Sequence, residues 1–209
     1  MNESETFTLE DGRPIDRKLL ISTLNSINEI GVQGLHLTEF FNIFSATQDE
    51  CQVALGISSN VWVKNAQHIG IIKDVGLAML VRHFLLHPEE WPIKYLGTPD
   101  LQFLKHKYKE LAVPENEAII GILVGRAQHT VYRWNKNSEG AGKQHIKILL
   151  LWLEKIGKMT NSKLPSDQAK GSLLFDEYLE GIKSEAKIRD IDFMKAPSWE
   201  PKKGGESTK

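Results

Sequence analysis

The sequence predicts an all-α protein: tandem helix-turn-helix repeats with flanking N- and C-terminal helices. Three observations carry this expectation. Apolar residues return at spacings of three and four, as in Ile119, Ile120, Leu123 and Val124, which gives helices with one buried face. No alternating run of β-branched residues bounded by turns occurs, so no strand is expected. The pattern of residues 47–85 also recurs later in the chain. A shift of 69 residues carries Gly56 onto Gly125, Val53 onto Ile122, Leu55 onto Val124, Val63 onto Tyr132 and Lys64 onto Arg133. The agreement continues with Leu77 on Ile146, Met79 on Ile148, Leu80 on Leu149, Val81 on Leu150 and Phe84 on Leu153. Identities are few, but the apolar positions agree without a gap, as an internal repeat requires.

Taken in order, residues 1–34 form an N-terminal segment and helix. Residues 1–13 are polar and expected to be loose. Pro14 suits a first helical turn, and Ile15, Leu19, Leu20, Leu24 and Ile27 make a stripe that ends at Gly31. Residues 35–88 are the first repeat, opening on a helix with Phe40, Phe41 and Phe44 and closing on the apolar run 76–87. Residues 89–97 read as a linker, with two prolines flanking Trp91.

Residues 98–157 are the second repeat. Thr98 is placed as its first N-cap with Pro99 at the first helical position. Its closing helix, from Gln144, is apolar on more than one face, so it packs against the other repeat or against a second copy of the chain in a homodimer. Residues 158–194 hold a polar loop and a C-terminal helix over 172–191. Residues 195–209, with Pro197, Pro201, Gly204 and Gly205, read as a disordered tail.

Composition narrows the function. At 209 residues with 41% hydrophobic content, the chain can build a core as one domain or two small ones. A net charge of −1 leaves nucleic-acid binding to local patches. Of the matched stretches, residues 116–154 are the more basic, with Arg126, Arg133, Lys136, Lys143 and Lys147 against Glu117, Glu139 and Glu154, whereas residues 47–85 carry Lys64, Lys73 and Arg82 against Asp49, Glu50 and Asp74. Cys51 is the single cysteine, so no internal disulfide forms, and its position reads as a small buried hydrophobe. No apolar run reaches membrane-spanning length and the N-terminus lacks a signal-peptide pattern, which together lead to an expectation of a cytoplasmic protein.

Enzyme signatures are missing. There is no phosphate loop, no dinucleotide fingerprint and no nucleophile elbow. His83 and His87 stand four apart near Glu89 and Glu90, but without a third ligand they read as packed or solvated histidines. No catalytic residue, metal, cofactor or small-molecule substrate is expected.

The binding candidates lie after the two turns. In the second repeat, Arg126, Gln128, His129, Thr130, Arg133 and Lys136 form a polar edge opposite Val131 and Trp134. Such side chains donate to phosphates and base edges. In the first repeat the matching candidates are Gln48, Ser58, Ser59, Asn60 and Lys64. The run Thr47-Gln48 with Leu55-Gly56-Ile57-Ser58 resembles the lambda-repressor-like helix-turn-helix superfamily, in which a Thr/Ser-Gln pair opens the second helix and a Leu-Gly-apolar-Ser run makes the turn. Gly125, Thr130, Val131, Arg133 and Trp134 resemble the end of the same motif. The resemblance covers residues 37–88 and 98–156. It implies a transcriptional regulator that places recognition helices in the major groove of double-stranded DNA.

Two departures stand beside it. Asn116 and Glu117 replace the Ser/Thr-Gln pair, and Trp62 with Val63 puts apolar bulk early in the first recognition helix. Trp62 and the near-neutral charge point to an alternative, a protein-protein interaction adaptor on the same scaffold.

Overall fold

A computed structural model describes residues 8–91, 97–108, 116–127, 130, 134, 143–193 and 199. Among these the chain is helical and contains no strand. Thr8 with Pro14 and Gln33 with Ile71 pair only as isolated bridges. The helices are α1 (Arg17–Ile30), α2 (Gly34–Ile43), α3 (Gln48–Ala54), α4 (Ser59–Ala66), α5 (Val75–Leu86), α6 (Leu101–Tyr108), α7 (Asn116–Leu123), α8 (Gln144–Thr160) and α9 (Pro165–Ile188).

Helix α5 lies at the centre. Its sequence, VGLAMLVRHFLL, is apolar on nearly every face, and each residue from Val75 to Leu85 is buried. A helix of that kind must be surrounded, and α1, α2, α8 and α9 pack around it. Helix α8 is nearly as enclosed: Ile146, Ile148, Leu149, Leu150, Trp152, Leu153 and Ile156 are all buried. Its several apolar faces are therefore satisfied within the chain, against α5, α6 and α9. Helices α2, α3 and α4 form a compact trio at one end, with α4 lying on α2 and α3.

Two polar links cross this core. Arg82 on α5 and Glu185 on α9 form an ion pair at 3.0 Å, with side chains 3% and 0% exposed. The Arg82 guanidinium also donates to Asn28 Oδ1 (2.6 Å) and to the Ile27 carbonyl (3.2 Å) on α1. Arg189 donates to the second Glu185 oxygen (3.2 Å) and to the Ile72 carbonyl (2.8 Å). Burying these charges is tolerable because almost every lone pair and proton has a partner.

Several local expectations change. Helix α1 begins at Arg17, not Pro14, because Asp16 caps it by accepting from the Leu19 amide (2.9 Å). The segment ahead of it is not loose from residue 8 onward: Leu9 and Ile15 are each 3% exposed. Helix α6 is capped by Asp100, which accepts from the Phe103 amide (2.9 Å), rather than by Thr98. Trp91, read as part of a linker, is a core residue, stacked on Phe44 at 4.7 Å and edge-on to Phe40 and Phe84.

The polar stretch after Gly157 is helical almost throughout. Helix α8 runs to Thr160 and α9 starts at Pro165. The first turns of α9 carry no apolar stripe, since they project beyond the core until Gly171 and Leu174 reach it. Trp199, placed by the sequence in a disordered tail, is 7% exposed, packs edge-on to Phe193 at 4.8 Å and donates its indole N–H to the Ile122 carbonyl (2.8 Å).

Three substitutions test this packing. Glu185→Ala strands Arg82 as a buried, unpaired charge and should cost about 3–5 kcal/mol in denaturant unfolding. Glu180→Ala, at an exposed pair with Lys183, should be close to neutral. Trp199→Ala should cost about 3 kcal/mol or more by the same measurement, as loss of a large core side chain does; an unchanged midpoint would mean that the tail contributes nothing to folding.

Candidate nucleic-acid interface

Helix α3 begins with a capping box. Thr47 Oγ1 accepts from the Glu50 amide (3.2 Å), while Glu50 accepts from the Thr47 amide (2.7 Å). These bonds hold the Glu50 carboxyl below its usual range, the Thr47 backbone bond being the largest cause. Cys51 is buried on the inner side, and burial pushes its thiol up to about 12. The helix stops because Gly56 adopts φ +59°, a left-handed conformation that an L side chain resists. Three bonds close the turn: Leu55 N–H to Cys51 O, Gly56 N–H to Val53 O, and Ile57 N–H to Gln52 O. Ser58 then caps α4, its Oγ accepting from the Val61 amide at 3.4 Å.

The end of α7 is built the same way. Gly125 has φ +67°. Its three bonds run from Val124 N–H to Ile120 O, Gly125 N–H to Ile122 O, and Arg126 N–H to Gly121 O. Each is the counterpart of one in the first turn, 69 residues away, the same separation as that between Asp74 and Lys143. Asp74 and Lys143 are in turn the N-caps of α5 and α8.

The two turns contact the opposite helix starts reciprocally. A Cβ on Gly125 would lie 2.5 Å from the Gly76 nitrogen and 2.8 Å from the Val75 carbonyl carbon. A Cβ on Gly56 would lie 2.9 Å from the His145 nitrogen and 3.0 Å from the Gln144 carbonyl carbon. Any side chain at either glycine would collide with backbone. At the centre of this junction sits Asp74. One of its oxygens caps α5 through the Leu77 amide (3.2 Å), and its carboxylate is reached by Arg126 (2.9 Å), Lys143 (3.1 Å) and His145 Nε2 (3.2 Å). Burial alone would raise its pKa, but the bonds from His145 and Arg126 outweigh burial and hold the carboxyl well below the usual carboxylate range.

The candidate contact residues divide accordingly. Gln48, Ser58, Ser59, Asn60 and Lys64 are all exposed. Ser59, Asn60 and Lys64 lie on α4, where Trp62 turns inward and is only 3% exposed. Trp62 thus removes no groove-facing surface, and the argument it offered for an adaptor falls away. Val63, at 42% exposed, does face solvent. Ser58 is committed through its hydroxyl to the α4 cap. Arg126, read from sequence as a phosphate contact, is instead 16% exposed and paired with Asp74. Thr130 is half-buried and its amide donates to the Ala127 carbonyl (3.0 Å). Gln128, His129, Arg133 and Lys136 lie outside the described residues.

Sequence reasoning missed the Asp74 node. The available signal was an Asp directly before an apolar helix, whose counterpart at the same repeat position, Lys143, has the opposite charge. Among the described residues no cluster of His, Cys, Asp or Glu is arranged to hold a metal. His83 and His87 are packed, with His83 against Trp152 at 4.2 Å. No helix of the described residues is long and apolar enough to cross a membrane. Comparison with protein-family models, curated proteins and solved structures finds no match to this chain.

The Asp74 node sets a pH dependence. A carboxyl depressed in the folded state stabilises above its unfolded pKa, about 4, and loses that contribution as pH falls through the folded value. Asp74→Asn keeps a side chain able to cap α5 but removes the charge. Its melting temperature should lie below the wild type at neutral pH, and the gap should close in acid below about pH 4. A constant gap across that range would assign the effect to altered hydrogen bonding or packing rather than to the carboxylate charge.

Proposed function

We propose that this chain is a non-enzymatic, sequence-specific double-stranded DNA-binding protein, a transcriptional regulator whose two helix-turn-helix units lie within residues 35–88 and 98–157. One observation carries the reading. Two turns at the repeat spacing share a left-handed glycine and the same three closing bonds, and the helix after the first buries Trp62 while leaving Ser59, Asn60 and Lys64 in solvent. A recognition helix needs that division: one face anchored on the preceding helices, the other free to enter the major groove. The resemblance to lambda-repressor-like motifs supports it at Thr47, Gln48, Leu55, Gly56, Ile57 and Ser58.

The roles differ from those suggested by residue type alone. Ser59 and Asn60 occupy the first turn of α4, where side chains meet base edges, and Lys64 and Gln48 are placed for phosphates. In the second unit, Gln128, His129 and Thr130 are the base-facing candidates, with Arg133 and Lys136 for phosphates. Arg126 acts on the turn through Asp74 rather than on DNA. An adaptor remains the second reading on one observation: Val53 and Ile69 of the first unit are 80% and 97% exposed, apolar side chains of the kind a protein partner would cover.

A mobility shift on duplex fragments from the protein's own genomic neighbourhood, run across a salt series, tests this. Lys64→Ala and Arg133→Ala should each lower the salt slope by about one. Asn60→Ala and Gln128→Ala should cost about 1–3 kcal/mol at specific sites and spare non-specific binding. If all four variants bind as the wild type does, or no fragment shifts, the adaptor reading replaces this one.

A further inference from the structure

The contacts between the two units are isologous, as in a two-fold dimer. In such an interface, if residue i touches j, the equivalent of i touches the equivalent of j. Gly125 meets the Val75 carbonyl carbon and the Gly76 nitrogen, while Gly56 meets the Gln144 carbonyl carbon and the His145 nitrogen. These are the same atoms, exchanged between units at the spacing of 69 residues that also separates Asp74 from Lys143. A residue that touches its own equivalent must sit beside the two-fold axis. Asp74 and Lys143 are such a pair, 3.1 Å apart, and their opposite charges permit a contact that two identical residues of a homodimer would resist. Helices α5 and α8, which start at these residues, pack on one another across the same axis.

From this pseudo-two-fold junction we infer that a single chain binds one inverted, two-part site in duplex DNA whose halves differ in sequence, taking the place of a homodimer. The inference rests on the DNA-binding reading above. Two-fold pairs of helix-turn-helix units read inverted repeats because the duplex backbone has matching dyads. Here the units are not identical. Ser59, Asn60 and Lys64 of the first correspond to Gln128, His129 and Arg133 of the second. Asn and Gln pair with adenine through bonds of the same kind but at different reach, and His and Ser offer different donors. The halves of the preferred site must therefore be unlike.

Selection of duplexes from a random library with the full chain, followed by native mass spectrometry of the chain on the winning duplex, tests this. The expected result is two unlike blocks in inverted orientation, about one helical turn apart or a multiple of it, with one chain per duplex. Asn60→Ala should relax selection in one block only, and Gln128→Ala in the other. Replacing one block by an inverted copy of the other should weaken binding by about 5- to 100-fold. Thermal melts of both variants check that they fold. A symmetric palindrome carrying two chains, a single block, or two blocks in the same orientation would overturn the inference while leaving DNA binding intact. No enrichment and no shift at any salt concentration would instead remove the DNA-binding reading itself, and this inference with it.

Discussion

Two left-handed turns each lie against the start of a distant helix, Gly56 against α8 and Gly125 against α5, and these close approaches govern how the remaining helices pack. Gly56 and Gly125 allow backbone to meet backbone at a distance that no side chain would permit. Because the two contacts are reciprocal, they fix α5 and α8 side by side at their N-termini. Everything else is arranged around that pair. Asp74 caps α5, pairs with Arg126 at the opposite turn, and meets Lys143 and His145 at the start of α8. One carboxylate thus ties three chain segments together.

Away from the junction, the core is closed by α9 and α1. Helix α9 packs along α8 and α5, and its Glu185 meets Arg82 in the middle of the molecule. The ion pair does more than satisfy two charges. Through Asn28, Ile27, Arg189 and Ile72 it joins α1, α5, α9 and the segment ahead of α5. An apolar pair of the same volume would bury equal surface without these directional bonds between segments. Trp91 and Trp199 complete the enclosure from segments outside the long helices.

The same organisation bears on function. Packing at the turns consumes Arg126, the cation nearest to the second turn, and directs Trp62 of α4 inward. The polar residues left exposed on α4 are short donors with one lysine. On the proposed DNA-binding reading they would meet base edges rather than hold DNA by charge alone, in keeping with a chain that has almost no net charge.

The features legible in the chain before folding were local. The helical periodicity of α5 and α8, the end of α1 at Gly31, the two turn glycines and the buried Cys51 were legible because each depends on neighbours within a few residues. Which polar residues face one another depends on long-range packing. Arg126 and Arg133 look alike in a helix-turn-helix pattern, yet the partner of Arg126 is Asp74, 52 residues earlier. Arg82 and Glu185 are 103 residues apart, and nothing near either in the chain marks them as buried. Trp91 and Trp199 sit among prolines and polar residues that suggest exposed segments, and their burial depends on cavities formed by distant helices. Burial of a charge or a ring is a property of the packed assembly, whereas periodicity and capping are properties of the local chain.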